Sequence, residues 1–126
     1  MRFRFAPAAL VVAALLLLPL AAPAAEKTAK KEEKTLQGEV LDLGCYLAHD
    51  GKGPDHAMCA QMCVKNGQPM GLLTADGAVY ILTADHEDAK PFNQTKDYAG
   101  QKVEIRGTVG INSGLKGLTV LAVKPL

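Results

Sequence analysis

From Leu36 onward, short apolar and β-branched runs alternate with polar positions and are cut by turn residues, the pattern of a small all-β domain. The residues Leu36 to Leu43 have the content of a first strand, and Gly38 inside them marks a bulge or bend. Two further runs, Pro69 to Thr74 and Val79 to Thr83, flank Asp76-Gly77, a dipeptide suited to a tight hairpin turn with positive φ. Lys102 to Val109 alternates apolar with polar side chains, so one face is expected in the core and the other in water. After Asn112-Ser113-Gly114, Leu118 to Val123 makes the last strand. Between the third and fourth strands, acidic residues from Asp85 and a terminal Gly100 bound a helical segment that Pro91 must break or begin.

The expected order is strand, strand, strand, helix, strand, strand, with a bent first strand. A five-stranded Greek-key barrel of the OB type requires that order. Here the chain resembles small exported bacterial proteins with an OB-like fold, and Tyr98 to Val109 looks like the helix end and fourth strand common in them. The resemblance implies a barrel and names no ligand. The fold class expected is mainly β: a five-stranded OB-like barrel with a helix between strands 3 and 4 and a Cys/His helical insertion, 45–68, between strands 1 and 2.

That insertion is long for a loop in a compact domain, and such loops carry function or structure of their own. All three cysteines of the chain lie in it. Pro54 at a first-turn position, Asp55 beside it and Asn66-Gly67 as a stop predict a helix over Pro54 to Lys65. On that helix His56, Cys59 and Cys63 fall at i, i+3 and i+7, a single stripe, and Cys45 at the end of the first strand needs only to lie opposite. Three thiolates and an imidazole make a tetrahedral set for zinc, and thiolates equally suit copper(I). Cys45, His56, Cys59 and Cys63 are therefore the candidate metal ligands. His49, in a glycine-rich turn, is a substitute for His56, whereas His86 sits at a polar helix start. Met58, Met62 and Met70 add soft thioethers, although Met is also a common core filler and the helical pair is expected to pack inward.

Two rival readings use the same residues. A disulfide from Cys45 to Cys59 or to Cys63 would staple the loop and stabilise the domain by about 3 kcal/mol. One between Cys59 and Cys63 is disfavoured, because Cβ atoms four apart on a helix stand farther apart than the ~3.8 Å a disulfide prefers. A thiol–disulfide redox protein would attack a partner disulfide with Cys59 or Cys63 and resolve with Cys45. Covalent haem is not indicated, since Val64 follows Cys63. Asp42 shares its strand face with Val40 and Leu36, so its carboxylate points inward, either to orient a ligand histidine or to cap a loop amide. No catalytic triad, phosphate loop or paired-carboxylate motif is legible, which favours a non-catalytic role.

The start of the chain adds a compartment. Arg2 and Arg4, the apolar run Ala8 to Leu18 and the small residues before Ala24 and Ala25 form a signal peptide over 1–25, cleaved after one of those alanines. Its apolar run is shorter than the ~20 residues a membrane span needs, so no stable anchor is expected after cleavage, and the protein is placed in the periplasm or outside the cell. Residues 26–35 are charged or small and are expected to be a disordered linker to a domain at 36–126. Removing Arg2 and Arg4 from the 14 basic residues leaves 12 against 13 acidic ones. A near-neutral domain has no electrostatic footprint for nucleic acid, so the expected partners are a metal ion and a periplasmic protein.

Overall fold

The computed structural model describes residues 31–126, and the expected signal peptide lies outside them. Five strands, β1 (Glu32–Asp42), β2 (Met70–Thr74), β3 (Val79–Ala84), β4 (Lys102–Asn112) and β5 (Leu115–Pro125), form a closed barrel in the order β1-β2-β3-β5-β4. Closure removes the exposed edges that an open sheet would present. All neighbouring strands are antiparallel except β3 and β5, which run parallel.

Strand β1 passes from one neighbour to the other at Gly38, where the sequence pattern expects a bulge or bend. Glu32 to Glu39 pairs with β4, Gly38 to Asp42 pairs with β2, and the two ladders overlap at Gly38 and Glu39. A side chain on Gly38 would run into the carbonyl oxygen of Leu73, so only glycine lets both neighbours close on the strand there. The strand begins at Glu32, four residues before the expected start, and Glu32 to Thr35 belongs to the barrel rather than to a disordered linker. Their charge misled the reading: these side chains are exposed, while the backbone pairs with β4 and Glu33 meets Arg106 at 2.6 Å. Charged residues are common where a strand shows only solvent-facing side chains.

Three α-helices accompany the barrel among the described residues, one more than the sequence pattern suggests: α1 (Leu43–His49), α2 (Ala57–Lys65) and α3 (Lys90–Thr95). Pro91 stands in the first turn of α3, where its missing N–H costs nothing, and Asp88 accepts the Lys90 amide ahead of it. The unexpected helix is α1. The apolar run of β1 continues into it through Leu43, which hides the boundary, but Asp42 is its N-cap and its Oδ1 accepts the Gly44 amide at 2.9 Å.

The core lies inside the barrel and extends under α2, whose Ala60 and Val64 are buried with Val40, Met70, Leu72, Val103, Ile105 and Leu118. Ala60 and Val64 are one turn apart, so this single apolar face orients the whole helix. The chain before β4 links α2 to the barrel: Gly100 donates to Val40 of β1 at 2.7 Å, and Asp97 meets Lys65 of α2 at 2.9 Å. Met58 and Met62 do not join the core, being 78% and 62% exposed. The inward face of α2 is filled by Ala60 and Val64, which leaves the methionines on the outer side; of the three weighed as soft donors, only Met70 is core.

Candidate metal centre

Two helices bring the sulfur atoms together. Cys45 occupies the third position of α1, which packs at the end of β1, and Cys59 and Cys63 stand four apart on α2. The Sγ atoms of Cys45, Cys59 and Cys63 all lie within 4.8 Å of one another. All three cysteines are free thiols, so neither expected staple is formed.

The histidines complete a second grouping around the same sulfur. A turn of 3-10 helix, Pro54–His56, leads into α2 and lifts His56 off the thiolate stripe. Its ring lies instead against His49, with centroids 5.6 Å apart and planes at 77°. Cys45, His49 and His56 offer ligand atoms within 4.8 Å of one another, whereas no group of that size holds His56 with both Cys59 and Cys63. Helix α1 is the reason: it puts His49 at i+4 from Cys45, on the same face. The spacing of Cys45 and His49 was visible in the sequence, but it carried meaning only once Asp42 was read as a helix cap.

The turn between α1 and α2 is built to admit that imidazole. Asp50 ends α1 in the left-handed region at φ 56°, and the Gly51 amide donates to the Cys45 carbonyl at 3.2 Å. Gly51 is buried, and a Cβ on it would meet His56 Nε2 at 2.8 Å and the Cys45 Cβ at 3.1 Å. The imidazole fills the space a side chain would take. Its Nε2 is buried and has no hydrogen-bond partner.

Asp42 sets the electrostatics. It is 1% exposed; Oδ1 caps α1, while Oδ2 is buried with no hydrogen-bond partner of good geometry. Burial pushes the carboxyl pKa up, but the Cys45 thiol, the Gly44 amide and the Cys63 thiol outweigh it and hold the group ionised below its ordinary value. The same charge acts in reverse on sulfur. Asp42 first, then burial, pushes the Cys45 thiol up to about 12, and burial first, then Asp42 and Cys59, raises Cys63. Without a cation, Cys45 therefore keeps its proton. In the reduced, metal-free protein at neutral pH, iodoacetamide is expected to modify exposed Cys59 first and Cys45 last, read by mass spectrometry of a digest. Labelling of Cys45 should be slow at neutral pH and keep climbing through the alkaline range, because its pKa is pushed up to about 12; equal rates at all three sites would show that Asp42 does not hold the thiol.

What the arrangement can do chemically follows from that balance. A buried carboxylate with an open oxygen, facing two thiols, is a concentration of potential negative charge that only a proton or a cation can relieve. The Cys/His cluster has donors of the right type and spacing to hold a metal ion. No helix among the described residues is long and apolar enough to cross a membrane. No protein-family model matches the chain, and neither a curated protein nor a solved structure shows significant similarity to it.

Proposed function

We propose that the protein is an exported carrier of a soft transition metal, zinc or copper(I), held by Cys45, Cys59 and Cys63, with His56 beside Cys45 rather than in the three-thiolate group. The observation that carries this reading is the convergence of three free thiols within 4.8 Å beside a buried carboxylate whose Oδ2 lacks a donor. A cation would replace the thiol protons and satisfy the electrostatics of Asp42 in one step. Thiol–disulfide exchange is the weaker reading, because it needs a thiolate, and Asp42 and burial hold Cys45 and Cys63 as thiols.

Storage or delivery fits better than a purely structural role. Structural sites are closed by four protein ligands, whereas here Cys59 is exposed, and Met58 and Met62 flank it on the open side of α2. Soft thioethers beside an accessible thiolate suit a metal that must be handed to a periplasmic partner protein. The basic, apolar and small-residue succession of the first 25 residues supports export. The strand order β1-β2-β3-β5-β4, with a bent β1 shared between two ladders, supports the OB-like label for the barrel.

The reading is tested by titrating reduced, metal-free protein with Cd2+ and following the ultraviolet thiolate-to-cadmium band, with Zn2+ and copper(I) as competitors. Saturable binding tighter than about 1 μM, or about 8.2 kcal/mol, is expected, with proton release on loading. Absence of the band, or its persistence at undiminished intensity in Cys59→Ser/Cys63→Ser, would overturn it.

A further inference from the structure

We infer a second metal position, in which Cys45, His49 and His56 hold a borderline divalent cation such as zinc beside the three-thiolate position, with the Cys45 thiolate bridging the two ions. This rests on the reading of the thiolates as a metal site and extends it. Five donors are gathered here, yet they form two groups that share only Cys45. A single tetrahedral ion takes four ligands, and the donors do not form a group of four around one point. The grouping is also chemically split: three sulfurs on one side, and two imidazoles with one sulfur on the other, a softer and a harder set.

Three observations support the imidazole side on their own. His56 Nε2 is buried without a partner, although a buried ring nitrogen ordinarily finds one. Gly51 leaves out the one atom that would occupy the place of this nitrogen, so the backbone turn is shaped around the imidazole and Cys45 together. His49, exposed at the last turn of α1, has no buried packing duty and closes the group from the solvent side, which gives an ion its way in. A thiolate has lone pairs enough to serve two cations, and paired catalytic metals stand about 3.5–4 Å apart, a separation one bridging atom spans. Loading of both positions is balanced by charge: Cys45, Cys59 and Cys63 each give up one proton, the buried Asp42 carboxylate supplies the fourth negative charge against two divalent ions, and the two histidines bind as neutral rings.

The test loads the reduced full chain with 113Cd2+ and counts ions by native mass spectrometry and resonances by 113Cd NMR. Two equivalents and two resonances are expected, the one from the sulfur-rich position shifted downfield of the other. His49→Ala, on the surface, should leave one ion and the downfield resonance. Gly51→Ala removes no ligand, yet its Cβ would meet the His56 ring at 2.8 Å, so it should also leave one ion and the downfield resonance. One equivalent in the unaltered protein, unchanged by His49→Ala, would overturn the second position while leaving the thiolate site standing. Failure to bind cadmium at all would overturn both.

Discussion

Cys45→Ser is expected to abolish metal-dependent stabilisation. A metal at a hundredfold excess over its dissociation constant stabilises the folded state by about 2.7 kcal/mol, which for a domain of this size raises the melting temperature by about 10–20 °C. Cys45 belongs to both donor groups, so no set of three remains without it. Changes at outer-shell partners ordinarily cost metal sites 10–100-fold in affinity, and loss of the shared ligand should exceed about 100-fold. The metal-free variant should fold as well as the parent protein, because a serine hydroxyl can donate to Asp42 where the thiol stood, and only a small shift in its own melting temperature is expected. Differential scanning fluorimetry with and without Zn2+ separates the two effects. An undiminished zinc-dependent rise in Cys45→Ser would place the metal elsewhere.

Gly100→Ala should be strongly destabilising. Gly100 has φ 78°, a region that costs an L-residue about 1–2 kcal/mol. Its missing side chain also makes room for α2: a Cβ there would lie 2.6 Å from the Cβ of Ala57 and closer still to its Cα, which is backbone and cannot swing aside. Overpacking of this kind costs about 1–3 kcal/mol, so with the backbone cost the combined loss is about 2–5 kcal/mol. Gly114→Ala is the control. It shares the positive φ, 82°, but nothing lies within 4 Å of its Cβ, so only the backbone cost of about 1–2 kcal/mol applies. With the same backbone cost in both variants, urea denaturation should separate them by about 1–3 kcal/mol, the part that belongs to the seating of α2. Because α2 carries Cys59 and Cys63, Gly100→Ala should also weaken cadmium binding, while Gly114→Ala leaves it unchanged. Equal stability losses would mean that Gly100 does not set the position of the helix.

Much of the barrel was legible because its signals are local. The Asp76-Gly77 turn is such a case: Gly77 has φ 83° and its amide closes on the Thr74 carbonyl at 2.9 Å. Asp42 pointing inward followed from counting by twos along β1, and it is 1% exposed. Two elements escaped for opposite reasons. The start of β1 is charged, so its strand character depends on β4 lying beside it. Helix α1 is apolar and continuous in pattern with β1, so its existence depends on the Asp42 cap and the left-handed Asp50. Met58 and Met62 were misread because helical periodicity indicates a face and does not say which face meets the core; Ala60 and Val64 took that place.

By itself the sequence determined the inventory and the stripe: three cysteines in one insertion, two of them a helical turn apart, with a carboxylate turned inward at the end of the first strand. Those follow from residue type and from the periods of helix and strand, which need no partner. Only the tertiary structure decided which donors meet. His49 and His56 come from different segments, and Cys45 from a helix capped by Asp42; their common point depends on the seating of α2 against Gly100 and on the space left at Gly51. Such distances between segments are set by packing across the fold, and no local pattern encodes them.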